Sequence, residues 1–246
     1  RFIKFGKLLE RARMLDQDYI ATGHYAKIVY DEKSGRYILK KGKDLTKDQT
    51  YVLYGMTQEE LSRTLFPLGD LTKEEVRRIA AENGLVNAEK PDSQDICFVQ
   101  DGDYAGFLEK VMGVENAKGD FLDTKRNVIG RHKGFINYTI GQRKGLGMSF
   151  GQPKYVVDKD KETKAVILGD YEELFSQGLI ARDVNFIAIE DLQEPMNVTA
   201  KTRYKQKEAP AVIYPMEDGK VLLRFLEKQK AITPGQAVVF YQDDTV

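Results

Sequence analysis

The fold of this chain is decided by one stretch near its start, Asp18-Tyr19-Ile20-Ala21-Thr22-Gly23-His24-Tyr25. This pattern is typical of a β-strand that runs into a glycine turn. Upstream of it, apolar side chains recur at helical spacing and predict an amphipathic helix: Phe2, Phe5, Leu8, Leu9, Ala12 and Leu15. The chain therefore opens with a helix and a strand, and the strand ends beside Gly23 and His24.

Two helix starts follow this unit. Thr57 with Glu60, and Thr72 with Glu75, have the spacing of capping boxes. The second helix is expected to stop at Asn83-Gly84 and to turn three side chains inward: Val76, Ile79 and Ala80. Helices alternating with short strands predict an α/β fold with a mostly parallel sheet, whose ligands lie beyond the carboxyl ends of the strands.

The pattern changes after Asp101. A helix is predicted from about Tyr104 to Met112, followed by a basic stretch whose frequent glycines predict a small central, mostly-β domain. From about Tyr171 apolar residues alternate along several short strands, which predicts a C-terminal β-barrel, with a sandwich as the alternative. We expect domains at 1–102, 103–168 and 169–246.

Composition narrows the class of protein. The chain has 246 residues, 41% of them apolar, no run long enough to span a membrane and a single cysteine. A soluble protein of the reducing cytoplasm, without disulfides, is expected. Its 38 basic and 38 acidic residues balance, but residues 118–154 contain eight Lys or Arg against two Asp. This local excess of six positive charges indicates a polyanion-binding segment or a solvated basic loop.

Four short segments could take part in chemistry. Cys97, in Asp92-Ser93-Gln94-Asp95-Ile96-Cys97-Phe98, is either an inert core residue or a reactive thiol at the edge of a core. Gly23-His24 could meet a ligand at a strand end or be structural. Lys47-Asp48-Gln49 lies in a polar loop and, taken alone, indicates only a solvated turn. The glycine-flanked pair Arg143-Lys144 suits phosphate oxygens, or belongs to an ordinary surface loop. No P-loop and no zinc-ligand spacing occurs.

Taken in order, seven motifs over nearly the whole chain resemble the tRNA-specific 2-thiouridylases, a family also known as tRNA 5-methylaminomethyl-2-thiouridylate methyltransferases. The motifs are Arg1-Phe2-Ile3-Lys4-Phe5, Ala21-Thr22-Gly23-His24-Tyr25, Lys47-Asp48-Gln49, Phe66-Pro67-Leu68-Gly69, the segment 92–98, Gly141 to Gly147, and Thr233-Pro234-Gly235-Gln236. The resemblance implies an adenine-nucleotide alpha-hydrolase-like first domain, with an incomplete PP-loop ATPase sheet.

The resemblance also implies a reaction: ATP, with Mg²⁺, adenylates the C2 carbonyl of the wobble uridine, and a cysteine persulfide then delivers sulfur. Cys97 matches the persulfide-bearing cysteine, loaded by a sulfur-relay or cysteine desulfurase protein. Lys90 would favour its thiolate, whereas Asp92 and Asp95 would oppose it unless their carboxylates cap backbone amides. Gly23 matches a position against ATP. The expected tRNA contacts are His24, Lys47, Asp48, Gln49, Arg143, Lys144, Arg203, Tyr204 and Gln236.

Three parts of the family pattern are expected upstream of Arg1: the pyrophosphate loop, the aspartate near the target base and a second cysteine. We therefore expect this 246-residue polypeptide alone to be inactive in thiolation, and the intact protein to be an enzyme. Two alternatives remain open. One is a tRNA-binding module without catalysis, and the other is a different nucleotide-activating ligase on a related fold, in which Cys97 is structural.

Overall fold

The structure, a computed structural model, describes residues 2–86, 88, 99 and 104–246. The described residues fall into two units. The first is drawn from Arg1–Lys90, Gly178–Glu227 and Gly235–Val246, and the second from Pro91–Gln177 and Lys228–Pro234. Cys97 and its neighbours in the segment 92–98 lie outside the described residues. The predicted division into three domains stays a prediction.

The first unit opens with the predicted helix. Its first turns are a π-helix, Phe2–Lys7, which continues as α1, Leu8–Met14. Phe5, Leu9 and Ala12 are buried in the core, whereas Leu8 and Leu15 are about half exposed. The apolar stripe that reaches the core is therefore narrower than the periodicity predicted.

The strand predicted at 18–25 is short. Its paired part is β1, Ile20–Ala21, which lies parallel to β4, Thr64–Leu65. Between them comes an antiparallel hairpin that the sequence did not predict, formed by β2, Ala26–Asp31, and β3, Arg36–Lys41. Where the predicted strand does not pair with β4, its backbone amides form hydrogen bonds with loops instead. The amide of Tyr25, described below, is an example.

Both capping boxes are confirmed. The helices of this region are α2, Thr50–Leu53, α3, Gln58–Ser62, and α4, Lys73–Glu82. Thr57 caps α3 and Thr72 caps α4, each with reciprocal side-chain and backbone hydrogen bonds. The expected inward face of α4 is wrong: the helix has no buried residue, and Ile79 is 41% exposed. Helix α4 ends at Glu82, with Asn83 as its C-cap and Gly84 in the left-handed conformation.

The second unit begins with α5, Tyr104–Met112, at the predicted bounds. Its sheet has the order β6-β5-β8-β7, with β5 Gly119–Leu122, β6 Val128–His132, β7 Tyr155–Lys159 and β8 Val166–Gly169. Short 3₁₀ helices lie at Phe135–Asn137 and Tyr171–Leu174. Phe121 is fully buried against the rings of His132 and Tyr138. The mostly-β character predicted for this region is confirmed.

The C-terminal region is all-β, as predicted. Its five strands are β9 Phe175–Ala181, β10 Met196–Lys201, β11 Ala209–Pro215, β12 Val221–Lys230 and β13 Val239–Tyr241, in the order β13-β10-β11-β12-β9. The predicted turn, Glu217–Gly219, is a 3₁₀ turn between β11 and β12. Alternate residues Val221, Leu223 and Phe225 are buried.

The C-terminal region shares a core with the N-terminal helices of the first unit. Ile187 is buried in the cluster that contains Phe5, Leu9 and Leu53, and Val246 packs against the same cluster. The Arg36 side chain adds hydrogen bonds to two backbone carbonyls, those of Phe186 and Ile187. None of the helices in the described part of the chain has the length and hydropathy of a membrane span.

Candidate nucleic-acid interface

His24 lies just beyond the end of β1, as predicted. Its Nδ1 is 2.7 Å from Thr22 Oγ1, and its ring contacts Phe5 and Phe66 at centroid distances of 5.9 and 5.6 Å. Burial, with the Lys4 charge as a smaller cause, holds the pKa of His24 below its ordinary value. The imidazole is therefore neutral at pH 7, where it can exchange hydrogen bonds but adds no charge.

The loop that carries Lys47, Asp48 and Gln49 is held by two hydrogen bonds to Tyr25, the residue after His24. Gln49 Oε1 accepts from the Tyr25 amide at 3.0 Å, and the Gln49 amide donates to the Tyr25 carbonyl at 3.0 Å. This pair of bonds replaces the strand pairing that the backbone of Tyr25 lacks. Two segments 24 residues apart in sequence are thus brought together.

Asp48 is engaged inside the protein. Its carboxylate accepts from the Thr50 hydroxyl at 2.6 Å, and that hydroxyl also lies 3.4 Å from the Tyr241 hydroxyl. Thr50 is completely buried, and burial raises the pKa of Tyr241. Asp48 therefore orients the loop through Thr50, and its predicted contact with tRNA stays a prediction.

Tyr51 is the meeting point of three segments, and sequence reasoning missed it. Its hydroxyl donates to the carbonyl of Ala237, next to the exposed Gln236, at 2.9 Å. Its ring lies 6.1 Å from that of Tyr204, and Lys201 Nζ lies 5.9 Å from the ring centre. Residues predicted separately near 49, 204 and 236 therefore surround one tyrosine. The signal that the sequence offered was its position two residues after the predicted loop.

The β10–β11 segment supplies the positive charge of this cluster. Burial raises the pKa of Tyr51, and the charge of the partly buried Arg203 lowers that pKa by a smaller amount. Lys205 and Lys207 are exposed, and Tyr204 is 40% exposed. An aromatic ring and cations on one surface suit single-stranded RNA, because bases stack on the ring while cations meet the backbone.

Gly23 is exposed at the strand end, one residue before His24. A β-carbon built on it would have a single close neighbour, Leu68 Cδ1, at an ordinary contact distance of 3.5 Å. Packing therefore does not require glycine here. The bare backbone leaves room for the close approach of a ligand, which fits the predicted contact with a nucleotide.

Arg143 and Lys144 belong to the second unit. Both side chains are exposed, on a loop fixed at its base by Gln142, whose side chain accepts from the Thr139 amide and donates to the Lys144 carbonyl. Leu146 is buried in the core of the unit. The fixed ends and positive φ angles of Gly141 and Gly145 turn the two cations toward solvent, where they could meet phosphates.

Metal-binding side chains are not clustered in the parts of the chain that the structure describes. There, no group of three or more His, Cys, Asp or Glu residues could hold a metal ion. Cys97 lies outside the described residues, as do Lys90, Asp92 and Asp95, so their predicted roles stay predictions.

Family models match three successive parts of the chain. They are described as a tRNA methyl transferase HUP domain at residues 1–101, a tRNA methyl transferase PRC-barrel domain at 105–170, and an aminomethyltransferase beta-barrel domain at 176–246. The predicted fold class, an α/β first domain followed by a small mostly-β domain and a β-barrel, is thereby confirmed.

Curated relatives match along the entire chain. A protein of Acetivibrio thermocellus named tRNA-specific 2-thiouridylase MnmA is 55% identical over 246 residues, which are 100% of this chain and 68% of that protein. Proteins of the same name from Clostridioides difficile and Natranaerobius thermophilus are each 51% identical over 246 residues, and the match spans 68% and 67% of their lengths.

Proposed function

Because the chain belongs to the family of tRNA-specific 2-thiouridylases, we propose that the intact protein is an enzyme that places sulfur on a uridine of tRNA. The observation that carries the proposal is the cluster around Tyr51. Three separate segments whose motifs resemble the family's tRNA contacts meet there on one partly exposed surface. An accidental likeness of short motifs would not require those segments to be neighbours.

The proposed reaction is thiolation of the C2 carbonyl of the wobble uridine. ATP, when bound with Mg²⁺, would supply the adenylyl group that turns the C2 oxygen into a leaving group, with release of pyrophosphate. Cys97 carries the sulfane sulfur that bonds to C2, and the oxygen departs with AMP. A second thiol then attacks the Cys97 sulfur, forming a disulfide and leaving the C2=S group on the base. A reductant restores both thiols.

The described residues fit one part of an ATP site. Gly23 offers a side-chain-free, exposed backbone beside Thr22 and His24. Mg²⁺ bound with ATP would be held by phosphate oxygens, water and one or two carboxylates, its usual arrangement at nucleotides. The neutral His24 ring would contact tRNA rather than act as a cation toward phosphate.

The tRNA would be held by two groups of side chains. Those of the first unit are His24, Lys47, Asp48, Gln49, Arg203, Tyr204 and Gln236, and those of the second are Arg143 and Lys144. Tyr204 would stack on a base, and the exposed cations would bind backbone phosphates, which makes the affinity fall with salt. A cytoplasmic sulfur-relay or cysteine desulfurase protein would load Cys97, so this thiol must be accessible to a protein.

Thiolation is tested with the intact protein, ATP, Mg²⁺, a persulfide donor and unmodified tRNA, with 2-thiouridine measured by mass spectrometry of the nucleosides. Wild type should form it, and Cys97→Ser should not. Product formed by Cys97→Ser would remove Cys97 from the mechanism, and product formed without ATP would remove the adenylation step. Tight tRNA binding without any product would favour the non-catalytic module.

Binding is tested with two matched tyrosines. Tyr204 and Tyr30 are 40% and 52% exposed, and each ring contacts another tyrosine, Tyr51 or Tyr37. Only Tyr204 belongs to the candidate interface. Tyr204→Ala should weaken tRNA binding by about tenfold, since stacking on a base contributes about 1–3 kcal/mol, whereas Tyr30→Ala should leave it unchanged. Equal effects of the two variants would contradict the assignment of Tyr204.

A further inference from the structure

One end of the sheet in the second unit gathers lysines from several strands. Gly119, the first residue of β5, pairs with His132, the last residue of β6, and His132 Nε2 lies 2.8 Å from the carbonyl of Lys164, in the turn before β8. Strand β7 reaches the same end at Lys159, which pairs with Val166 of β8. The lysines at or beside these strand ends are Lys118, Lys133, Lys159, Lys161 and Lys164. We call Lys159, Lys161 and Lys164 the lysine cluster.

Lys159 holds a partly buried ammonium group. Its Nζ donates to the carbonyl of Tyr138 at 2.7 Å and lies 4.1 Å from the ring centre of Phe135. Burial, with the charge of Lys161 as a smaller cause, lowers the pKa of Lys159, so the charged form is less favourable here than in water. Within the described part of the chain no carboxylate forms an ion pair with any lysine of the cluster. An anion from outside would offset the cost of burying this charge.

The other two lysines of the cluster lie close to the same place. Lys164 Nζ is 5.8 Å from the ring centre of Phe135, and Lys161 is near enough for its charge to lower the pKa of Lys159. The side chains of Lys161 and Lys164 are exposed. Like charges held close together repel one another, and an anion bound among them removes part of that repulsion. The arrangement therefore favours a negatively charged ligand.

The carboxylates at this end of the sheet do not neutralise the cluster. Asp160 accepts from the amides of Glu162 and Thr163 at 3.0 and 3.2 Å, and it pairs with Arg126 at 3.7 Å. Asp158 accepts from the Lys159 amide, and consecutive side chains of a strand point to opposite faces. All charges of this end taken together leave an excess of two positive charges, since five lysines and Arg126 stand against Glu115, Asp158, Asp160 and Glu162.

The cluster is connected to the loop that carries Arg143 and Lys144. The Val156 amide of β7 donates to the Gln142 carbonyl at 2.9 Å, at the base of that loop. Lys159 lies three residues further along β7, which is about 10 Å in a β-strand. An RNA strand bound at the exposed pair Arg143-Lys144 would therefore need only a few more nucleotides to reach Lys159. This nearness favours RNA over other anions.

We propose that the lysine cluster binds backbone phosphates of the tRNA, as a second group of contacts on the second unit beside Arg143 and Lys144. The inference rests on the proposed function, and it adds three phosphate contacts that none of the sequence motifs indicated. Lysine meets phosphate as a point charge, so these contacts add affinity without any preference for base sequence. An acidic protein surface carries the same sign of charge and is the competing partner.

The test compares lysines of two hairpins in the intact protein. Lys164→Gln removes one charge of the cluster, and Lys159→Met removes another while an unbranched side chain remains over Phe135. Lys33→Gln is the matched control, because Lys33 is exposed in the turn between β2 and β3, outside the cluster. Affinity for unmodified tRNA is measured over a series of salt concentrations. Circular dichroism follows unfolding on heating, and polyglutamate at constant ionic strength serves as the probe for an acidic protein.

We expect each cluster variant to weaken tRNA binding by about three- to tenfold at about 0.1 M salt, and to reduce the slope of log affinity against log salt by about one. Lys33→Gln should match wild type. Equal affinity and slope for Lys164→Gln and Lys33→Gln would overturn the inference. So would a loss confined to Lys159→Met and accompanied by earlier unfolding, or Lys164-dependent binding of polyglutamate with unchanged tRNA affinity. If wild type itself failed to bind tRNA, the proposed function would fail instead.

Discussion

Replacing Thr50 by valine should release the 47–49 loop, because the Thr50 hydroxyl connects this loop to the C-terminal sheet. The hydroxyl donates to Asp48 at 2.6 Å and lies 3.4 Å from the Tyr241 hydroxyl. Valine has a similar shape and carries a methyl group in place of the hydroxyl, so the main change is the loss of the polar group. Thr50 is 0% exposed, so water cannot take its place. A hydrogen bond to a charged group contributes about 1.5–3 kcal/mol, and we expect a loss of about 2 kcal/mol.

The chain contains a matched control for this substitution. The hydroxyl of Thr46 also donates to an aspartate two residues earlier, Asp44, at 2.6 Å, but this pair is exposed. Water can replace the bond there, so Thr46→Val should cost about 0.5 kcal/mol or less. The comparison separates the effect of burial from that of the hydrogen bond itself.

Hydrogen exchange of the Gln49 amide measures the release of the loop directly, because that amide donates to the Tyr25 carbonyl. A chain with two units need not unfold in one step. The equilibrium constant for local opening is then better defined than a single melting temperature. A loss of 2 kcal/mol corresponds to about 30-fold faster exchange, since 1.4 kcal/mol is about tenfold. Equal exchange rates in Thr50→Val and Thr46→Val would refute the claim that the buried hydroxyl holds the loop.

Two further predictions follow from the strand end. The pKa of His24 should lie below the ordinary value of about 6.5, so the contribution of His24 to stability is present above that pH and is lost as the pH falls. Lys4→Gln should raise the pKa of His24 in an NMR titration. An unchanged pKa would exclude the Lys4 charge as a cause. Gly69→Ala should begin to unfold at a lower temperature than wild type, because the new β-carbon would lie too close to the Ala26 carbonyl. Gly23→Ala, whose β-carbon has only an ordinary contact, should begin to unfold at the same temperature as wild type.

Local signals in the sequence predicted local structure well. The capping boxes at Thr57 and Thr72 formed as expected, because a cap depends on residues only three positions apart. Helix α5 and the turn Glu217–Gly219 were predicted for the same reason: glycine after a helix, and a turn between alternating strands, are set by neighbours in sequence. The fold class followed from the order of these elements.

Burial was predicted less well than secondary structure. The period of α4 correctly places Val76 and Ile79 on one side of a helix, but a period does not say what that side meets, and Ile79 remains 41% exposed. The hairpin of β2 and β3 was missed because its turn has no Asn-Gly or Asp-Gly pair to mark it; Gly35, the last residue before β3, supplies the positive φ.

The candidate interface shows why single motifs were ambiguous. The loop at 47–49, the pair Arg203-Tyr204 and Gln236 each have an ordinary structural explanation when considered alone. Their meeting depends on the Tyr51 hydroxyl reaching the Ala237 carbonyl across 186 residues of sequence, a contact that no local pattern encodes. Because this bond joins the loop to the C-terminal strands, a substitution at Tyr51 would displace residues on both sides. Tyr51 is therefore a positioning residue, and its loss should resemble the combined loss of the contacts around it more than the loss of any one of them.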